Sequence, residues 1–382
     1  MKKIIYRLIL VLGAIAIGVA LVSGLAFFGD KSTGPVQDFF NSLNKSVHNM
    51  EGDYILKRRT VSRAQRLSWL APALRNVDSL KNIKGILLGA YDNRADISLQ
   101  PIVDLEDSLK TTFPLIQIYT AWGSKREQKF PIEKVRSIST LGSIPVITWE
   151  PWLNDFTEGE NADLTATQDP NKNGLKRIVD GKYDNYLRQW AIEARNSGVT
   201  ILLRMGHEMN DPYRYPWGPQ NNEPSDFVAA WKHVVELFRR EKVKNIVWVW
   251  APHLAYGEFD AFYPGSDWVD WTGTGTLNYG TVAPWSQWWT FEEIFGNHYP
   301  SLEAFKKPIL IFEFGSLAVG GDRSKWYADA FRGFEEKYPS VKGLMFFHHG
   351  NDASTTYQSL NWQITSDPAV LDSIRSNLFR LK

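Results

Sequence analysis

The chain has 382 residues, 43% of them apolar, and its 43 Lys and Arg against 42 Asp and Glu leave a net charge of +1. That length can bury one large core, and the balanced charge excludes nucleic acid as a partner because no basic excess exists to track phosphates. Cysteine is absent, which removes disulfides, thiolate nucleophiles and Cys-ligated zinc together while leaving the compartment open.

Lys2, Lys3 and Arg7 precede residues 8–28, 21 positions without a charge. At about 1.5 Å per residue such a helix matches the ~30 Å hydrocarbon core of a bilayer. Residues 1–30 are therefore expected to be a single-pass anchor, meeting the membrane through residues 8–28. The basic flank puts the N-terminus in the cytoplasm and the bulk of the chain in an extracytoplasmic or periplasmic space. The alternative is a cleaved signal peptide and a secreted product, for which Ser23-Gly24-Leu25-Ala26 is a poor cleavage motif.

Residues 31–83 read as a juxtamembrane stalk, with short amphipathic helices at 38–44 and 62–76. The cluster Lys57, Arg58, Arg59, Arg63 and Arg66 has two readings. It is either a contact for anionic lipid or an acidic partner, or simply a solvated helix face.

From residue 85 onward, strand-length apolar runs occur at 85–91, 115–119, 144–149, 199–205, 245–251, 268–274, 308–314 and 341–347. Helix-patterned stretches such as 183–197, 224–242 and 323–337 separate them. Nearly continuous apolar strands are those covered on both faces. Eight such units predict an α/β fold, a (β/α)8 TIM barrel over residues 84–382, preceded by the transmembrane helix and the short stalk. Polar loops after the strands, at 150–180, 206–224, 252–267, 276–300 and 348–362, hold many of the 16 tryptophans and seven histidines. In this architecture those loops form the active-site end.

Two glutamates stand out in that frame. Glu208 follows the fourth run and Glu313 interrupts the seventh, 105 positions later, as expected for three units of roughly 35 residues in a barrel of about 250. Two carboxyls at one barrel mouth suit glycoside hydrolysis, one as proton donor and one as nucleophile. The alternatives are structural: Glu208 paired with Arg204 for stability, or Glu313 in a buried ion pair without chemistry. Five of the six residues at 309–314 are apolar, so packing gives Glu313 no reason to be there. Arg204 as its partner would keep it ionised, and its charge would then raise the pKa of Glu208.

His207-Glu208 is not half of a zincin helix, because position 211 is Asp, where a second histidine would be needed. His253, His298, His348 and His349 have no recognisable metal spacing, and His348-His349 reads as a polar cleft wall. Neither metal nor cofactor is expected.

At residues 85–380 the sequence resembles glycoside hydrolase family 26, of β-mannanases, mixed-linkage β-glucanases and some xylanases in the retaining clan A. The resemblance rests on Ile147-Thr148-Trp149-Glu150-Pro151-Trp152, on Asp180-Gly181-Lys182-Tyr183-Asp184 with Trp190-Ala191, and on Arg204-Met205-Gly206-His207-Glu208-Met209-Asn210 followed by Tyr215-Pro216-Trp217-Gly218. Val247-Trp248-Val249-Trp250-Ala251-Pro252 and Glu313-Phe314-Gly315 complete it.

The resemblance implies Glu208 as acid/base and Glu313 as nucleophile, with His207 and Asn210 holding the sugar or the acid/base and Arg204 beneath. It implies Trp217 at a sugar subsite and Trp149 near the cleft floor; Trp122 is a further candidate, for cleft or core. At strand 6, Gly275 and Leu277 occupy the family's usual Asp and Tyr places, leaving Asn278 and Tyr279 as the nearest substitutes. The expected activity is endo-cleavage of a β-linked polysaccharide by double displacement. A rival reading is a non-catalytic glycan-holding or scaffold protein beside a membrane polysaccharide synthase or export machinery, and a chain-trimming enzyme serving an exporter combines the two settings.

Overall fold

Eight parallel strands close into a barrel in strict sequence order, each hydrogen-bonded to the next and β8 to β1. They are β1 (Leu87–Asp92), β2 (Leu115–Ala121), β3 (Ile144–Glu150), β4 (Ile201–Met205), β5 (Ile246–Trp250), β6 (Trp271–Asn278), β7 (Ile309–Ser316) and β8 (Val341–His348). This computed structural model describes residues 58–80, 83–156, 164, 169–356 and 358–381. The expected anchor at 8–28 and the expected helix at 38–44 lie outside the described residues. Among the described residues no helix is long and apolar enough to cross a membrane.

Side-chain alternation sorts the strands into two layers. Leu87, Leu115, Val146, Leu202, Val247, Val249, Leu310, Phe312 and Met345 fill the barrel interior. Ile116, Ile118, Ile147, Trp149, Leu203, Trp248, Trp250 and Phe346 face the surrounding helices. Those helices include Asp184–Ser197, Pro224–Arg240 and Arg323–Glu336, close to the expected positions. Pro224 at the first turn and the Glu223–Asp226 capping box start the second of them.

Strand 6 lies three to four positions later than the apolar run predicts. Asp270, inside the expected strand, accepts the Trp248 N–H at 2.8 Å, and the strand continues through the polar, glycine-bearing stretch 272–278. An apolar-run reading stops before such residues.

The expected stalk is corrected for its second half. Residues 58–66 are helical and Ser68–Leu70 form a 3-10 turn, after which Leu70, Ala73 and Leu80 join the interior cluster of the barrel. The Thr200 N–H, just before β4, donates to the Leu74 carbonyl at 2.9 Å. An open barrel bottom would leave the lowest interior layer in water, and this segment covers it. Residues from Tyr54 to Lys382 accordingly form one compact unit. Arg63 leaves the proposed basic surface: it is fully buried, paired with Glu106, and its Nε donates to the Leu141 carbonyl at 2.9 Å.

Candidate active site

Inward-facing positions at the C-terminal ends of the strands supply a polar layer above the apolar interior. Tyr119 on β2, Thr148 and Glu150 on β3 and Arg204 on β4 all follow the alternation. Arg204 is 1% exposed. Its Nε donates to Thr148 Oγ1 (3.0 Å), and one Nη donates to both Tyr119 Oη (3.1 Å) and Glu313 Oε1 (2.8 Å). The guanidinium carbon sits 4.2 Å from the centre of the Phe312 ring, which covers one face of the cation.

Glu313 reaches this layer through a β-bulge. Gly275 pairs with Glu313 where Thr274 pairs with Ile311, so one extra residue of β7 is absorbed between them. The pairing with β8 slips at the same place. Phe312 therefore packs in the interior, and Glu313 beside it also turns to the barrel mouth, while Ile311 and Phe314 both face outward. Bulges commonly re-aim a side chain next to a site. Tyr119 Oη also donates to Glu313 Oε1 at 2.9 Å. Burial opposes ionisation of Glu313, but the Arg204 charge and hydrogen bond, with Tyr119, hold its carboxyl below the usual range.

Glu208 lies three residues beyond β4, at φ 52°, in the left-handed region that a non-glycine residue adopts only when its surroundings impose it. Its N–H donates to the Ala251 carbonyl at 2.7 Å, and the Gly206 N–H to the Trp149 carbonyl at 3.0 Å, so the neighbouring strands fix the turn. The carboxyl is buried, and Oε2 has no hydrogen-bond partner among the described residues. Burial pushes Glu208 up, and the Glu313 charge adds to it. Burial is the larger of the two causes, whereas the sequence reading put the work on Glu313. His253, Arg214 and Arg204 pull the other way, with Arg214 Nη1 3.7 Å from Glu208 Oε2.

The carboxyl spacing can be bounded. A methyl carbon placed on Gly275 would stand 3.1 Å from Glu313 Oε2 and 3.7 Å from Glu208 Oε1. Those two legs cap the separation of the oxygens below almost all of the ~6.5–9.5 Å range of inverting glycosidases, and are compatible with the roughly 5–5.5 Å of retaining ones.

Glu313 opens onto a cleft of about 350 Å³, lined also by Tyr91, Tyr119, Glu150, Trp152, His207, Arg214, Tyr215, Leu277, Tyr279, Phe347, His349, Asp352 and Ser354. A larger cavity of about 880 Å³ lies at the opposite end, beside Leu67, Trp69 and Leu381. His207 bonds Tyr215 Oη through Nε2 at 3.0 Å, and burial with the nearby Arg204 and Arg214 charges pushes its pKa down. Tyr279 stands in the cleft wall, bonded to Thr355 Oγ1 at 3.1 Å, while Asn278 is buried against Ser316. His349 lines the cleft, but His348 is buried behind it, bonded to Asp92 at 2.7 Å.

Trp149 lies away from the expected cleft floor, Trp122 takes the core alternative, Asn210 serves the loop backbone, and Trp217 is displaced from the expected sugar subsite. Trp149 and Trp122 are fully buried behind the sheet, their rings 4.7 Å apart, with Trp149 stacked on Trp190 at 4.4 Å. Trp149 sits at an outward position of β3, between Thr148 and Glu150, so alternation sends it away from the barrel mouth. Asn210 points to the backbone, donating to the His253 and Gly257 carbonyls at 2.9 and 2.8 Å. Trp217 supports the cleft from beneath: it is 2% exposed, donates to the His207 carbonyl at 2.7 Å and stacks on Tyr215 at 4.7 Å.

The sequence reading gave no role to Tyr119, Glu150, Arg214 or Tyr215. Tyr119 and Glu150 were within reach of it, as inward strand-end positions, but Arg214 comes from a loop with no periodicity. Among the described residues, Glu208, Asp211 and His253 place donor atoms within 4.8 Å of one another. Asp211 Oδ1 already accepts the Tyr213 and Arg214 N–H groups, and His253 Nδ1 accepts that of Ala255, so these two members hold the loop backbone.

Fold and site together define a (β/α)8 barrel with two buried carboxyls of opposite proton affinity at its C-terminal mouth. The chain matches the model of glycosyl hydrolase family 26 over residues 144–298. It is 31% identical over 243 residues to Endoglucanase H of Acetivibrio thermocellus, covering 61% of this chain and 24% of that protein. It is 29% identical over 175 residues to a mannan endo-1,4-beta-mannosidase of Bacillus subtilis, covering 44% and 42%. The chain thus spans 24% and 42% of the length of these two relatives. Among solved structures, a Bacillus subtilis mannanase superposes with a TM-score of 0.54 at 19% identity, covering 81% of this chain and 89% of that one. A modular endo-beta-1,4-mannanase from Cellulomonas fimi gives 0.56 at 17% identity, covering 80% and 73%. At those identities the likeness concerns the fold.

Proposed function

We propose that the protein is a retaining, endo-acting β-glycoside hydrolase that cuts a β-linked polysaccharide, with mannan and mixed-linkage glucan as the first substrates to test. The observation that carries this is the opposite treatment of two neighbouring carboxyls. Arg204 and Tyr119 favour the charged form of Glu313, while Glu208 is buried with no partner for Oε2 among the described residues and favours the proton.

Glu208 gives its proton to the departing glycosidic oxygen as Glu313 attacks the anomeric carbon, forming a glycosyl-enzyme. Glu208, now a carboxylate, removes a proton from water, which attacks the same carbon and releases Glu313. Arg204 and Tyr119 orient the nucleophile, and the sugar lies in the cleft between Tyr279 and His207. The family match and the mannanase and endoglucanase relatives support this reading. The anchor read from residues 8–28 would place the reaction outside the cytoplasm, near any synthase or exporter whose product is trimmed.

The test uses the full chain, wild type and Glu313→Ala, on mannan, mixed-linkage glucan and xylan, scoring released reducing ends. Cleavage of one polymer, abolished by Glu313→Ala, is expected. Binding to a polymer with no cleavage would favour the glycan-holding role. Glu208→Ala should lose most turnover on substrates with poor leaving groups and regain part of it with azide; unchanged turnover would remove Glu208 from the mechanism.

A further inference from the structure

Glu150 and His207 face each other across a gap that neither fills. Glu150 Oε1 and His207 Nδ1 are 4.0 Å apart, too far for a direct hydrogen bond. Glu150 Oε2 is held by the Trp152 indole N–H at 2.9 Å, which fixes the carboxyl and leaves Oε1 facing the gap. His207 is 2% exposed, and its Nδ1 has no hydrogen-bond partner among the described residues. Both residues line the cleft that holds Glu313. A buried polar atom without a partner costs stability unless something completes it.

One oxygen atom fits this gap. An atom about 2.8 Å from each side bridges two points 4.0 Å apart at an angle of about 90°, a tight angle that a hydroxyl can still adopt while donating to one side and accepting from the other. The donors also match. Tyr215 Oη can give its hydrogen to His207 Nε2, which leaves the hydrogen of the neutral ring on Nδ1. That Nδ1–H donates to the bridging oxygen, and the bridging O–H donates to Glu150 Oε1. A group that both accepts and donates satisfies the gap, whereas a methylene hydrogen or an ether oxygen does not.

We infer that Glu150 and His207 form a hydroxyl-reading notch, which selects a sugar carrying one hydroxyl at the position facing β3 and so determines which polysaccharide the site accepts. This rests on the hydrolase reading above and adds Glu150 as a specificity residue outside the chemical step. Rejection of a sugar lacking that hydroxyl follows from leaving both Nδ1 and Oε1 unpaired.

The test takes oligosaccharides of the polymer the enzyme cuts, each lacking one hydroxyl on the sugar beside the scissile bond. Wild type, Glu150→Ala and Glu150→Gln are compared by kcat/KM, with melting curves to establish that each variant is folded. For one deoxy sugar the wild type should lose about 10- to 100-fold. Glu150→Ala should show a similar loss on the native sugar and little further loss on that deoxy sugar, and Glu150→Gln, which keeps an acceptor, should recover part. Equal losses for Glu150→Ala on native and every deoxy sugar would overturn the notch while leaving the hydrolase standing. If no polymer is cut, the hydrolase reading fails, and calorimetric binding of the same sugars still decides the notch by the same non-additivity in Kd.

Discussion

Arg204 and Glu313, 109 positions apart in the chain, meet at 2.8 Å with the arginine 1% and the glutamate 9% exposed. A pair this buried is costly to break, because the surviving charge has neither partner nor water. The pair also explains how a carboxylate can persist within an apolar strand.

Replacement of Arg204 by Met should lower kcat severely and destabilise the fold by about 3–5 kcal/mol, the usual range for orphaning a buried charge. Because Arg204 depresses the Glu313 pKa, its loss raises that pKa, and the acid limb of the kcat/KM profile should move to higher pH. The native pair's contribution to stability is present above the unfolded carboxyl pKa and fades as pH falls through the depressed folded value. Denaturant titrations across pH, alongside the rate profile, check both statements.

Arg214 acts on the other carboxyl. It lies 3.7 Å from Glu208 Oε2 and favours the charged form. Arg214→Met should therefore raise the Glu208 pKa and carry the basic limb of kcat/KM to higher pH. A basic limb that moves to lower pH, or stays put, would separate Glu208 from that limb.

Gly275 lies beside both carboxyls. A methyl group there stands 3.1 Å from Glu313 Oε2, tight enough to displace the nucleophile by a few tenths of an ångström. Gly275→Ala should lower kcat by about tenfold, given the sensitivity of catalysis to small misplacements, with a melting temperature close to wild type. Comparable activity would mean that the Glu313 side chain has room to give way.

Arg63 ties the N-terminal segment to the barrel through Glu106, Ser143 and the Leu141 carbonyl. Arg63→Ala should cost about 3–5 kcal/mol, measured by denaturant unfolding. A chain beginning at residue 84 should fold poorly where one beginning at residue 54 folds, because the former exposes the interior layer that Leu70, Ala73 and Leu80 cover.

The order and spacing of the eight strands, the three long helices and the positions of Glu208 and Glu313 relative to the strand ends were legible in the sequence. These properties follow from local periodicity, and a closed parallel barrel uses that periodicity without rearranging it. Arg204 was legible as a partner for Glu313 because an isolated carboxylate in an apolar strand demands one.

Tertiary structure decided the rest. Trp149 and Trp122 look like cleft aromatics by composition, but the parity of β3 turns Trp149 outward and Trp122 packs against it. The bulge that aims Glu313 arises from unequal pairing between three strands, which no single strand records. Residues 58–80 read as a polar stalk because their apolar positions gain meaning only against an open barrel bottom. The gap between Glu150 and His207 depends on the register of β3 against β4 and on the turn after β4, which neither segment records alone. Local pattern determines which elements form; the facing of side chains across the mouth depends on register, bulges and closure, which are properties of the assembled sheet.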